Sequence, residues 1–314
     1  MPQLFLNQKS CETTADPERV NRAMTELAKA IIAVAKEDRS TELVMRESLT
    51  ALHLAQGHHV SKWAGTPSAK GGLWAYLLKM QTKYPHQKVF PDGETFSDVT
   101  HHHEGEPVPE LGYAHLMDGV GISLLLDNRW GADRLTLVQE QLVGGEDVDV
   151  VSTEIEIRHV ASREHVDAHR PWIREQAEAA LRGDLSAVRT GAELWERRET
   201  FFPHLRFLPD VEAQLRGLKR VWVPPVRKRL AEMEHAIVTW DPEARRDGPQ
   251  WGSYVTPEHE GRKEEFCVFI DLDGEPQYFD THLRFTPGAG RLHFRFMEAT
   301  GRAHVAHIGD KLDD

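Results

Sequence analysis

The tightest constraint in this chain is a run of two-residue alternation near its C-terminal end, broken only by turns. Over residues 277–285, Phe279, Thr281, Leu283 and Phe285 alternate with Tyr278, Asp280, His282 and Arg284. Over 291–297, Leu292, Phe294 and Phe296 alternate with Arg291, His293 and Arg295. Period two puts each set on its own face of a strand. Two further strands are expected at 265–271 and 302–308. The links between them are Asp273-Gly274, Thr286-Pro287-Gly288-Ala289-Gly290 and residues 298–301, which carry hairpin chemistry. Links this short force antiparallel neighbours. Helices are expected just upstream, over 209–219 and 224–240. The second opens on Pro224-Pro225 and carries Val226, Leu230, Met233 and Ile237 at helical spacing. Residues 204–314 thus predict two helices plus a four-stranded antiparallel meander, the helices covering the apolar face.

At 314 residues the chain is roughly twice the usual domain length, so a separate N-terminal domain is expected over 1–203. A short strand is read at Leu4-Phe5-Leu6. Asp16-Pro17-Glu18 starts a helix reaching about Lys36, with Val20, Met24, Leu27, Ile31 and Val34 inward. Helices are also read over 41–56 and 68–83, a long loop over 85–109, a short helix over 110–118 and a buried strand over 122–126. Alternation over 135–140 and 154–159, on either side of Gly144-Gly145-Glu146-Asp147, reads as a hairpin. Helices follow over 162–182 and 184–199, and Phe201-Phe202-Pro203-His204 marks the boundary. The class is α+β, with a mixed helix and antiparallel-strand domain preceding the meander.

No run approaches the ~18 apolar residues of a membrane helix, and the first residues lack the basic and apolar regions of a signal peptide. Cys11 and Cys267 are the only two cysteines and are far apart, which predicts a reducing, cytoplasmic setting and no thiolate metal site. A net charge of −12 argues against a wholly nucleic-acid-binding surface and leaves room for a local basic patch. Phosphate-loop, serine-elbow and cysteine-nucleophile signatures are absent.

The patch lies on the polar face of the meander, where His282, Arg284, Arg291, His293 and Arg295 fall on adjacent strands about 5 Å apart. One face of an antiparallel sheet is ordinarily solvated, but by lysine and glutamate rather than arginine and histidine. Arginine offers a fixed bidentate cation, and histidine exchanges protons near neutral pH. Cleaving RNA without a metal needs a base for the 2′-hydroxyl, an acid for the leaving oxygen and a cation for the phosphate. Those needs match these residue types.

In its helical pair, its compact meander and the segments His282-Leu283-Arg284-Phe285, Arg291-Leu292-His293-Phe294 and His304-Val305-Ala306-His307-Ile308-Gly309, the last third of the chain resembles the RelE/ParE toxin superfamily. RelE-type members cleave mRNA, usually on the ribosome, without metal or cofactor; ParE-type members lack ribonuclease activity. The resemblance implies Arg284, Arg291, His293 and Arg295 as working residues, with His293 moving the proton. His282, His304 and His307 would contact substrate, His304 or His307 standing where some members use a late tyrosine. It implies RNA or the ribosome as target and a neutralising antitoxin or other protein as partner of the N-terminal domain, in a toxin–antitoxin or anti-phage setting. A non-catalytic binding module is the alternative. A third reading rests on the 18 histidines. His165 and His169 stand i and i+4 on an expected helix, a spacing that suits a metal, with His159, the loop triplet His101-His102-His103 and His58-His59 as further ligands of a hydrolase.

Overall fold

The structure is a computed structural model that describes residues 2–83, 99–144, 148–245, 248–251, 255–257 and 260–312. It divides into two compact units, Met1–Ala187 and Val188–Asp314. The chain is α+β, as expected, with helices and several sheets.

The first unit opens with β1 (Gln3–Leu6) and α1 (Pro17–Glu37). Asp16 caps α1 by accepting from Arg19 N at 3.0 Å, and Val20, Met24, Leu27, Ile31 and Val34 are buried along one stripe. There follow β2 (Glu42–Val44), β3 (His53–Ala55), β4 (His58–His59), α2 (Val60–Ala64) and α3 (Trp74–Lys83). The helix expected over 41–56 is therefore corrected. Leu43, Leu49 and Leu52 are buried, but Glu42–Val44 pairs in parallel with β1, and a strand pairing of that kind overrides a weak helical spacing. The helix expected from residue 68 is interrupted by Gly72, whose φ of 115° only glycine adopts easily. Most of the expected 85–109 loop, and the turn Gly145-Glu146-Asp147, fall outside the described residues.

Next come β5 (Val99–His103), β6 (Glu106–Pro107), α4 (Pro109–Leu116), β7 (Val120–Ile122), β8 (Arg134–Gly144), β9 (Val148–Val160) and α5 (Arg163–Arg182). The β8–β9 hairpin keeps the expected alternation, with Leu135 opposite Ile157 and Leu137 opposite Ile155. The seven-stranded sheet has the order β2-β1-β7-β9-β8-β5-β6. Its first four strands run parallel, a feature the sequence does not announce, beside the expected antiparallel hairpin. Beyond the long hairpin, these strands are only three or four residues long, too short to show a period.

The second unit starts earlier than residue 204, with α6 (Gly191–Glu196), α7 (Arg198–Phe201) and β10 (Leu205–Phe207). The cause is close packing of α6 on α8 (Asp210–Arg216): a Cβ on Gly191 would lie 1.8 Å from Leu215 O. Next is α9 (Val223–Val238), whose expected stripe is buried. Its flanking tryptophans meet the apolar sheet face edge-on, Trp222 at Phe285 and Trp240 at Phe296. Then follow β11 (Val255–Pro257), α10 (Glu260–Phe266), β12 (Val268–Ile270), β13 (Pro276–Tyr278), β14 (Thr281–Phe285), β15 (Gly290–Met297) and β16 (Arg302–Asp310). The sheet has five strands in the order β10-β16-β15-β14-β11, with β10 parallel to β16. The four-stranded meander is thus corrected. Residues 265–271 are split between α10 and β12, and 277–285 between β13 and β14. The β12–β13 pair forms a separate hairpin.

Candidate functional site

Strand register fixes which side chains share the polar face, because directly opposed residues point the same way. On β14 and β15, Arg284 faces Arg291 and His282 faces His293. On β15 and β16, His293 faces His307 and Arg295 faces His304, with a register shift between His293 and Phe294. That shift leaves Ala306 as an extra residue on β16, a β-bulge. His304 and His307 are three apart and would point oppositely in a regular strand; the bulge turns both onto the polar face. β10 extends the last row, since Arg206 pairs with His304. The face therefore carries Arg284–Arg291, then His282–His293–His307, then Arg295–His304–Arg206.

The middle row is sealed. His282 and His293 are 3% and 1% exposed, and Cys267 and Phe279, on either side of the β12–β13 hairpin, close over His293. His293 Nδ1 donates to Phe279 O at 3.0 Å, Cys267 Sγ lies 3.9 Å from the same nitrogen, and Phe279 N donates to Cys267 O at 2.7 Å. The rings of His282, His293 and His307 meet across the strands at centroid spacings of 5.2 Å, tilted, and 5.9 Å, edge-on. His307 is engaged at both nitrogens: Gln214 Nε2 donates to its Nδ1 at 3.2 Å, and its Nε2 donates to Asp310 O at 2.8 Å. Burial holds its pKa below the usual histidine value. Gln214 Oε1 also accepts from Ile308 N at 2.9 Å, tying α8 to β16. These three imidazoles pack and anchor, and the expectation of a uniformly open face is corrected for this row.

The last row is different. Asp271, at the turn between β12 and β13, sends its carboxylate back onto the face, with 2% of its side chain exposed. Its Oδ1 receives His304 Nδ1–H at 2.6 Å, and its Oδ2 receives Arg295 Nη1 at 3.3 Å. Leu272 N adds a backbone donor at 2.7 Å. A carboxylate on Nδ1 fixes ring orientation and tautomer, and turns Nε2 outward as the exchanging nitrogen. His304 Nε2 makes no hydrogen bond within the described residues, and 16% of the side chain reaches solvent. On the far side, Arg206 Nη1 donates to Pro203 O and Leu205 O, each at 2.9 Å. His204, whose N and Nδ1 donate to the Glu234 carboxylate at 3.1 and 2.6 Å, pins the start of β10 to α9.

Arg284 is exposed and Arg291 half-buried, Arg291 Nη1 donating to Gly290 O at 3.0 Å. Asp271 was missed in the sequence because it reads as the last residue of a strand over 265–271, ahead of the Asp273-Gly274 turn. Arg206 was missed because a three-residue strand shows no periodicity.

Several N-terminal histidines come close together, the rings of His159 and His165 lying 6.1 Å apart, but their nitrogens are used in separate hydrogen bonds. His169 Nε2 donates to Asp133 O at 2.7 Å, whereas His165 Nδ1 accepts from Ala161 N at 3.2 Å. His159 Nδ1 donates to Ala132 O at 2.7 Å; its Nε2 must then accept, and it takes the Ser123 hydroxyl at 2.8 Å. Asn7 Nδ2 completes this buried chain by donating to Ser123 Oγ at 3.1 Å. The triplet lies on β5 rather than in a loop, with His101 opposite Gln139 and His102 opposite Val138. His103 Nδ1 donates to Thr136 O at 2.9 Å. Burial pushes His101 and His159 down to about 4. Among the described residues, no group of three or more His, Cys, Asp or Glu side chains is arranged to hold a metal ion. Helical spacing brings His165 and His169 to one face, where a backbone group bonds one nitrogen of each.

No helix among the described residues is long and apolar enough to cross a membrane. No protein-family model, curated protein or solved structure matches the chain.

Proposed function

We propose that the C-terminal unit cleaves RNA without a metal, as a toxin-like effector acting in the bacterial cytoplasm, and that His304 rather than His293 moves the proton. The observation that carries this reading is the Asp271–His304 pair at 2.6 Å, with Arg295 and Arg206 on the two adjacent strands. A phosphodiester over this row meets cations on both sides of one oriented base. His304 Nε2 takes the 2′-hydroxyl proton as the 2′-oxygen–phosphorus bond forms. The bond to the 5′-oxygen breaks, that oxygen gains a proton from water, and a 2′,3′-cyclic phosphate and a 5′-hydroxyl result. Arg295 and Arg206 hold the charge that builds on the phosphoryl oxygens, and Arg284 and Arg291 extend the cationic strip toward a neighbouring phosphate. The strip sits on a chain of net charge −12, so attraction to RNA is local and salt-sensitive. The first unit serves recognition of a ribosomal, protein or antitoxin partner in this reading.

A non-catalytic binding role is the second reading. It is favoured by the burial of His282 and His293, which withdraws two proton-exchanging groups from the face. Induced expression in a bacterial host separates the two. Growth arrest with mRNA loss from the wild type, absent from an equally abundant Arg291→Ala/Arg295→Ala protein, supports the ribonuclease. Arrest with intact mRNA supports the binding role.

A further inference from the structure

Beside the proposed phosphate row lies a cavity of about 430 Å³ at the edge of the same sheet, with Trp195, Arg198, Glu199, Arg206 and Phe207 in its wall. Its components are unlike those of the row. Trp195, on α6, meets Phe207 of β10 edge-on at 6.0 Å between centroids. The Arg198 guanidinium lies over the indole, 3.7 Å from the ring centroid, and Arg198 Nη1 donates to Trp195 O at 2.8 Å. Arg198 is thereby fixed as a flat cationic layer on a flat aromatic one. Trp195 is only half-buried, and its indole N–H makes no hydrogen bond within the described residues.

We propose that this cavity is a nucleobase subsite, which receives one unstacked base of single-stranded RNA next to the phosphate held by the Arg295–His304–Arg206 row. The inference rests on the ribonuclease reading and names how its substrate is gripped. Two observations choose a base over a second phosphate. An indole layered with a guanidinium, beside the ring of Phe207, offers the aromatic and guanidinium planes that bases stack on. Glu199 also sits in the wall, its Oε1 paired with Arg198 Nη2 at 3.1 Å, and a carboxylate there opposes an anion while accepting from a base amino group. Arg206 is the link. It lines the cavity and also stands opposite His304, so a nucleotide whose phosphate reaches Arg206 has its base within reach of Trp195. Register alone would give a cationic strip with no preference for single strands; the cavity supplies one, because a base can enter only after leaving a stack.

The test uses the full chain and a fluorescently labelled single-stranded RNA with every 2′-hydroxyl methylated, which binds without being cut. Cleavage of the unmodified strand is followed in parallel. Trp195→Ala is expected to weaken binding about tenfold, the contribution of one stacked base, and Trp195→Phe to stay within about threefold of wild type. A wild-type protein that binds and cleaves, with Trp195→Ala equal to it in both, overturns the subsite and leaves the ribonuclease reading intact. Binding that depends on Trp195 without any cleavage keeps the subsite and removes the ribonuclease. A wild type with no affinity for the methylated strand overturns the subsite directly. Should Trp195→Ala lose its fold by circular dichroism, wild-type protein is titrated with a strand of the same backbone lacking bases. The subsite predicts affinity at least tenfold lower than for the strand with bases, and equal affinities would contradict it.

Discussion

His304 has a supporting carboxylate and an outward nitrogen, and that combination makes its contribution separable from that of its neighbours. If His304 is the base of the proposed ribonuclease, replacing it with alanine should lower cleavage by about 10²–10⁴-fold while RNA affinity changes little. Asp271→Asn keeps the shape but exchanges a charged acceptor for a neutral amide. A smaller loss of cleavage is expected than for His304→Ala, because a neutral amide holds the imidazole less firmly than a carboxylate does. The N-terminal histidines give a prediction of opposite character. His101 and His159 are held to about 4 by burial, below an ordinary value of about 6.5. As pH falls below about 6.5 the unfolded chain binds these protons first. The stability they confer is thus complete above that value and lost progressively down to about 4. For His159 alone the loss approaches roughly 3 kcal/mol. Urea midpoints measured from pH 7 to pH 4.5 should drop steeply, and His159→Gln should flatten that slope even if it lowers the midpoint at pH 7.

At the level of elements, one extra residue in β16 places the histidines. Deleting Ala306 restores regular pairing with β15 and turns residues 302–305 over, sending the His304 ring toward the apolar face and leaving Asp271 buried without it. A buried carboxylate that loses one hydrogen-bond donor typically costs about 1–3 kcal/mol. The deletion should therefore lower the thermal midpoint sharply and abolish cleavage, whereas Ala306→Gly, which keeps the bulge, should do neither to a comparable degree. The bulge also shows what the sequence could convey. Alternation over 281–297 is strong, and the register Arg284–Arg291 and His282–His293 follows from it. The polar face and most of its residues were therefore legible. The bulge was not, since Val305-Ala306 looks like any apolar step within a strand. Nor was the fold-over of the Cys267–Phe279 segment. It buries His293 and delivers Asp271 through contacts distant in sequence, and a two-residue period carries no information about what covers a face. The same limit applies in the first unit, where β2 and β7 are three residues each and acquire their identity only by pairing with β1.

For the whole molecule, the two units divide at residues 187 and 188, and α6 belongs with the sheet that follows it. A fragment spanning 188–314 should unfold cooperatively in urea. One starting at 204, which loses the helix seated against Leu215, should show no sharp transition. Gly191→Ala in the full chain tests the same packing: its methyl group would meet Leu215 O at 1.8 Å, and a destabilisation of at least about 2 kcal/mol is expected. The acidic balance of the chain sets a further condition, because a local cationic strip on a body of charge −12 should bind RNA more weakly as salt rises. The most direct test of the central claim is end-mapping of single-stranded RNA incubated with purified full-length protein in excess EDTA, beside the His304→Ala protein. The account predicts 2′,3′-cyclic phosphate and 5′-hydroxyl ends from the wild type and almost none from the variant. Intact RNA with both proteins, or equal cleavage by both, would contradict it.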